Sequence, residues 1–317
     1  MRKRTGLWTL ALVAVAAVLA ACSGGSGNGS ADRPRVVATT TQVGSVAAEI
    51  GGDAIELTVL LEPGIEAHDF ELTPEDGAAL EEADLILISG AGLEEWLAGA
   101  LATIGGTDKV RDLGEGVDLR MPTDADPSQD EEEGEHGDEA DPHYWLSAPG
   151  ARLMVSNARD ALIEAAPDAG AAISDRADDL LARLDAADSE IRDMIGAIPE
   201  EQRKIVTDHD ALGYFIEEYG LEFIGSVFPT LDVASEPSAR DIEELVAEIR
   251  ANGVTAIFTE SAVNPRLAQA VADETEARIV DEPLYTDSLG PAGSGAETLD
   301  GMLLHNARVI RDGLTGG

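Results

Sequence analysis

Strand and helix patterns alternate along this chain in two separate rounds, and that alternation restricts it to a small set of folds. In the first round Arg35 to Thr39 is β-rich, Gln42 to Ile50 has a helical pattern, and Ile55 to Leu61 is a β-branched, apolar run. Thr73 then reads as the N-cap of a helix, with Pro74 at the first helical position and Asp76 completing a box-like pattern. Asp84 to Ser89 reads as a buried strand, and a helix is expected from Leu93. The second round runs through strands at Lys204 to Thr207, Leu221 to Phe228, Val254 to Thr259 and Ala277 to Val280. Its helices are Ala211 to Tyr219, ended by Gly220, then Ser238 to Ala251, stopped by Asn252-Gly253, then Pro265 to Thr275, and a last one from about Ala296 to Arg311. Strands that alternate with helices pair in parallel, and the helices cover both faces of the sheet.

Two unusual pieces separate the rounds. Residues 122–142 hold ten Asp or Glu, one histidine (His136) and no Lys or Arg, which is the composition of a self-repelling mobile loop. Residues 171–198 carry Ile173, Ala177, Leu180, Leu181, Leu184, Ala187, Ile191 and Met194, steps of three and four that form one apolar stripe on a long helix. Pro199 ends it where the second round begins. The expected fold class is α/β, with two similar lobes, each a parallel sheet flanked by helices, joined by one long backbone helix. The expected division is an N-terminal lobe at 34–150, a connecting segment at 151–199 and a C-terminal lobe at 200–317.

The start of the chain reads as an address. Arg2-Lys3-Arg4 precedes an apolar run from Leu7 to Ala21, the form of a secretory signal. The run is marginal for a membrane span, which needs about 20 apolar residues. It ends in Leu19-Ala20-Ala21-Cys22, followed by the Gly/Ser-rich stretch of a flexible tether. Cys22 is the only cysteine of the 317 residues, so disulfides within the chain and cysteine-based metal clusters are excluded. Leu-Ala-Ala-Cys looks like a bacterial lipobox, in which Cys22 would carry lipid. We therefore expect residues 1–21 to be a lipoprotein signal peptide and 22–33 a tether. The rest would be secreted across the cytoplasmic membrane and lipid-anchored to its outer face. A formal net charge of -41 argues against nucleic acid as a partner, since that needs a basic face, and it suits a protein that handles cations.

Five histidines are few enough to consider singly. In open α/β sheets ligands bind beyond the carboxyl ends of the strands. His68 and His209 follow strands, one in each lobe, and Asp287 lies beyond the strand Ala277 to Val280. Two lobes facing each other would bring them together across a cleft. Imidazole and carboxylate are ligands for Zn2+ or similar divalent ions.

Four motifs occur in order: Pro63-Gly64-x-x-x-His68-Asp69-Phe70-Glu71-x-x-Pro74, Asp141-Pro142-His143-Tyr144-Trp145-Leu146, His209-Asp210-Ala211-Leu212-Gly213-Tyr214-Phe215 and Asp287-Ser288-Leu289-Gly290. With them the chain resembles, over essentially all of residues 34–317, the cluster 9 (A-I) substrate-binding proteins of bacterial zinc and manganese ABC transporters, the ZnuA/TroA-like family. The resemblance implies metal ligands His68, His143, His209 and Asp287. It implies a metal receptor without enzymatic activity, working with an ABC permease and its ATPase, and a monomer is expected. The family's manganese receptors commonly have Glu at the third ligand position and its zinc receptors His. His209 therefore points to Zn2+ as the transported ion, with Mn2+ as the alternative. The chain departs from the family's zinc pattern in its acidic segment, which holds only one histidine. Asp208 and Glu260 lie near the site as candidate supports for a ligand imidazole. His305 and Asn306 read as structural, and Tyr144 and Trp145 as packing under His143.

Two readings of other classes are weighed against this one. A zinc-dependent secreted hydrolase would keep three protein ligands and an open water position. Here four ligands are available and no His-Glu-x-x-His motif occurs. An adhesion lipoprotein with structural metal is the other. Imidazoles of ordinary pKa, about 6.5, would lose metal to protons between about pH 7 and 5.

Overall fold

The buried apolar runs of the first half assemble a parallel sheet from β1 (Arg35–Ala38), β2 (Glu56–Val59), β3 (Leu85–Ile88) and β4 (Val110–Asp112), in the order β2-β1-β3-β4. Val36, Val37, Ala38, Leu85, Ile86 and Leu87 are buried because helices cover both faces of the central strands. β2 lies at the edge and is largely exposed, yet Leu60 and Leu61 carry the ladder on to Ala38 and Thr39. The computed structural model describes residues 33–68, 70–121, 140–230, 233 and 237–316. The expected signal segment, Cys22, nearly all of the tether, His136 and most of the acidic segment lie outside the described residues.

Among the helices of this half, α1 (Thr41–Gly51) is capped by Thr40, and α2 (Pro74–Glu82) has the Thr73–Asp76 capping box with Pro at its start. The helix expected from Leu93 begins later, as α3 (Leu97–Ile104). Gly90, Ala91 and Gly92 all have positive φ (80°, 54° and 91°), so the chain turns before it can coil. The buried Glu94 carboxylate pins that turn, accepting from Ser89 N–H (2.6 Å), Gly90 N–H (3.0 Å) and the Thr39 hydroxyl (2.7 Å).

Segment 151–199 contains more than the expected single helix. A helix that the sequence reading did not anticipate, α4 (Ala148–Ala165), precedes α5 (Gly170–Gly196). α4 buries Ala151, Met154, Val155, Ala158, Ala161 and Leu162, a stripe with helical spacing that was available in the sequence. α5 buries Ile173, Ala177, Leu180, Leu184, Ala187 and Ile191 of the expected stripe. It packs on α1 and α4 from the first half and on α6 and α9 from the second.

In the second half β5 (Lys204–Thr207) pairs with β6 (Glu222–Ser226), and β7 (Ala256–Ile257) with β8 (Arg278–Ile279), all in parallel. The Phe258 N–H donates to Val206 O at 2.9 Å and links the two pairs in the sequence β6-β5-β7-β8, the plan of the first half. The helices are α6 (Gly213–Tyr219), α7 (Ala239–Asn252), α8 (Arg266–Glu274) and α9 (Leu299–Thr315). One apolar cluster is continuous from Val36 through α5 to Phe258 and Ile310, and a smaller one fills the outer part of the second half. The described residues from Arg33 onward thus form one compact unit, within which the two lobes share a core.

The acidic segment ends earlier than expected. Asp141 and Pro142 are buried, and Asp141 N–H donates to Arg120 O at 2.8 Å. A carboxylate can be buried there because Arg120 Nη1 stands 2.8 Å from Asp141 Oδ2. Among the described residues no helix is long and apolar enough to cross a membrane.

Candidate metal centre

The parallel sheets decide where the polar side chains gather, because every strand in a lobe ends on the same side. His68 lies in the turn after β2, His209 directly after β5, Glu260 after β7, and Asp287 after β8. His143 enters from the turn ahead of α4. Their donor atoms converge: one atom each from His68, His143, His209 and Asp287 lie within 4.8 Å of one another. His143, His209 and Asp287 are buried, and His68 is slightly open to solvent.

The spacing can be compared with that of a bound ion. Four ligands about 2.05 Å from a tetrahedral ion stand about 3.3 Å apart. His68 Nε2 and His143 Nε2 are 3.2 Å apart. Asp287 Oδ1 is 3.0 Å from His143 Nε2 and 3.9 Å from His68 Nε2, and Oδ2 is 3.3 Å from His209 Nε2. Yet His209 Nε2 and both Asp287 oxygens have no hydrogen-bond partner among the described residues. Buried donor atoms this close can hold a cation between them or, without one, share protons between the rings and Asp287.

The far side of two rings is held by carboxylates. Asp141 Oδ1 accepts from His143 Nδ1 and from the His143 backbone N–H, both at 2.9 Å. Glu260 Oε1 accepts from His209 Nδ1 and the His209 backbone N–H, both at 3.0 Å. A carboxylate on Nδ1 selects the tautomer that leaves Nε2 bare, and it raises the basicity of that nitrogen. Thr286 hydroxyl donates to Glu260 Oε2. Asp208 touches the site one step further back: its Oδ2 accepts from the Glu260 N–H at 2.8 Å, while its Oδ1 has no partner among the described residues. Its hydrogen bond therefore goes to a backbone amide and not to an imidazole. The Asp287 end is held by the first lobe, since Thr286 O accepts from Gln42 Nε2 and Trp145 Nε1, both at 3.0 Å. The Trp145 ring packs edge-on to His143 at 5.4 Å.

Charge in this enclosure is strongly coupled. Burial alone would lower the His143 pKa, but the Asp287 charge and the Asp141 hydrogen bond override it and raise it to about 9. For His209 burial works the same way, and the Glu260 and Asp287 charges raise its pKa well above the ordinary value. Burial would raise Asp287, but the two imidazoles hold it well below the carboxylate range. Burial and the Glu260 charge push Asp208 up to about 7.

Asp141 was missed as a partner of His143, although an aspartate two residues before a histidine is a local signal for it. His305 stays away from the cluster, with Nε2 3.0 Å from Pro283 O, and Asn306 pins Tyr285 through its backbone.

Comparison with known proteins gives a consistent set of relatives. The sequence pattern of the family described as "ZnuA: Zinc-uptake complex component A periplasmic" matches residues 36–313. The chain is 31% identical over 316 residues to the "Manganese-binding lipoprotein MntA" of Bacillus subtilis, covering 98% of this chain and 99% of that one. It is 31% identical over 291 residues to the "Zinc-binding protein TroA" of Treponema pallidum, covering 90% and 91%. The solved periplasmic zinc-binding protein TroA of Treponema pallidum superimposes with a TM-score of 0.78 at 29% identity, covering 89% of this chain and 99% of that one. A manganese-bound periplasmic metal-binding protein from candidatus liberibacter asiaticus, an S38A mutant, gives 0.77 at 26% identity, covering 88% and 99%.

Proposed function

We propose, because the chain belongs to the ZnuA family of periplasmic uptake-complex components, that it is an extracytoplasmic receptor which captures a divalent metal ion between its lobes and hands it to an ABC permease for import. The observation that carries the reading is the set of facing donors: three imidazole nitrogens and one carboxylate, with 3.0 to 3.9 Å from His68 Nε2 to His143 Nε2 and from the Asp287 oxygens to the three rings. His68, His143, His209 and Asp287 are the proposed ligands. Four protein donors leave no position reserved for a reactive water, which speaks against a hydrolase. A relative from Streptococcus sanguinis named "Metal ABC transporter substrate-binding lipoprotein SsaB", 29% identical over 313 residues, supports the permease and its ATPase as partners. The lipoprotein names also favour lipidation at Cys22 after removal of 1–21. We further propose 22–33 as the tether and lobes at 34–150 and 200–317 bridged by 151–199.

For the ion itself we propose Zn2+. Three nitrogens and one oxygen suit a closed four-coordinate zinc site, whereas manganese favours a set richer in oxygen. A manganese reading has its own support. Several relatives carry manganese in their names, two as manganese-binding lipoproteins and three as manganese ABC transporter substrate-binding lipoproteins, and Asp287 presents Oδ1 to two rings and Oδ2 to the third, so it can add a second oxygen. Metal analysis of protein purified without added metal, followed by Zn2+ and Mn2+ competition, separates the two. Zinc content near one per chain and displacement of Mn2+ by Zn2+ are expected. Protein that takes up neither ion would end the receptor reading.

A further inference from the structure

Arg120 is the last basic residue before the acidic segment 122–142, and its guanidinium pairs with Asp141 near the end of that segment. Nη1 stands 2.8 Å from Asp141 Oδ2, the oxygen that His143 does not use. Asp141 therefore joins a cation on one oxygen to a ligand imidazole on the other. The Asp141 side chain is fully buried and that of Arg120 is 16% exposed, so the pair is shielded from the solvent that weakens surface ion pairs.

The second lobe builds the seat for this pair. Tyr214 Oη accepts from the Arg120 backbone N–H and donates to Asp141 O, both at 3.0 Å, so one hydroxyl clasps both chain ends that flank the acidic segment. The Arg120 guanidinium lies 5.5 Å from the centre of the Tyr214 ring, and its Nε bonds Glu217 at 3.2 Å. Gly213 leaves the space: a Cβ there would fall 1.4 Å from Arg120 Nη1 and 2.8 Å from Asp141 Oδ2. All three seat residues lie on α6, four to eight positions after the ligand His209.

We infer that Arg120 is a positioning residue for the metal: seated on Gly213 and clasped by Tyr214, it holds the Asp141 carboxylate so that His143 presents Nε2 to the ion, and it ties this ligand of the first lobe to the helix that follows His209. The inference rests on the receptor reading above. Without the guanidinium, Asp141 Oδ2 is buried without its cation, and the carboxylate is free to rotate off His143 Nδ1. A ring that turns even slightly no longer aims its lone pair at the ion. Loss of such outer support costs about 10- to 100-fold in metal affinity.

The test compares the whole protein with Arg120→Met, Arg120→Lys, Gly213→Ala and, as a control, Arg152→Met. The control removes a partly buried arginine whose Nη1 is 2.9 Å from Asp185 on α5, away from the metal centre. Release of Zn2+ to a chelator is timed, and the visible spectrum of the Co2+-loaded protein reports ligand geometry. Arg120→Met is expected to speed Zn2+ release about 10-fold or more and to change the Co2+ bands. Arg120→Lys should recover part of both, Gly213→Ala should reproduce the defect with the arginine still present, and Arg152→Met should behave as wild type. If Arg120→Met fails to fold, Arg120→Lys and Gly213→Ala decide by the same two readouts. Unchanged release and bands, or the same change in Arg152→Met, would overturn the inference. So would a loss confined to the melting temperature of the metal-free protein. Wild-type protein that binds neither Zn2+ nor Co2+ would overturn the receptor reading itself, a result distinct from an unchanged Arg120→Met.

Discussion

Metal capture by this site should be tied to proton release over a pH range that ordinary imidazoles do not reach. In the metal-free protein His143 has its pKa raised to about 9, and that of His209 is raised well above 6.5. The His143 ring is then protonated at pH 7 and the His209 ring is biased the same way, and an ion that takes Nε2 must expel these protons. Affinity should therefore climb with pH by close to one power of ten per unit from His143 alone, and more steeply with His209. From pH 7.5 to 8.5 a pKa of about 9 gives roughly 8-fold for His143 alone, and the raised His209 adds to this in the same direction. Three rings at 6.5 would give less than about 1.5-fold over the same interval. The window thus lies above the pH 7 to 5 expected from unperturbed histidines, because Asp287 faces both rings and Asp141 and Glu260 back them. The same shift acts on the fold with opposite sign. A raised pKa stabilises the metal-free protein below about pH 6.5, by about 3 kcal/mol for His143, and this contribution disappears as pH rises through about 9. Isothermal titration of Zn2+ in buffers of different ionisation enthalpy counts the protons directly. More than about one per ion at pH 7 is expected, one from His143 and a further share from His209. About 0.7 or fewer, the count for three ordinary rings each about a quarter protonated at pH 7, would refute the charge-coupled account.

Four shorter predictions address the site and the frame. His209→Ala should weaken Zn2+ binding more than about 100-fold while His136→Ala leaves it within about 2-fold, since only the first removes a proposed ligand; equal titration curves would remove His209 from the site. His209→Glu should move the Zn2+ to Mn2+ affinity ratio towards manganese, because a hard oxygen replaces a nitrogen, and competition titration measures it. Glu260→Gln should cost about 10- to 100-fold in affinity. Its amide can donate to His209 Nδ1 and so place the ring proton on Nε2, facing the ion, which NMR of the ring nitrogens would detect. Leu184→Ala on α5 opens a cavity in the shared core and should cost about 2 to 5 kcal/mol by denaturant titration of the metal-free protein.

Amino-acid order by itself determined the pieces whose cause lies within a few residues. The Thr73–Asp76 capping box, the Gly220 and Gly253 helix ends and the α5 stripe are set within one or two turns, and each stands where its residues indicate. The four motifs place His68, His143, His209 and Asp287 beyond strand ends or at a turn, and parallel pairing brings such ends to one side. Local signals also misled where a longer-range grip took over: Glu94 and three left-handed residues delay α3, and Arg120 draws Asp141 out of the acidic segment into the protein. Only the tertiary structure decided what surrounds the four proposed ligands. Glu260 reaches His209 across 51 positions, Gln42 holds the carbonyl beside Asp287 across 244, and Gly213 seats an ion pair drawn from the other lobe. Spacing along the chain carries no record of such partners, because sheet order and the packing of α6 on the first lobe bring them together. Those same partners set the imidazole tautomers and the charge that each ring holds, and so set how firmly the site competes with protons for its metal.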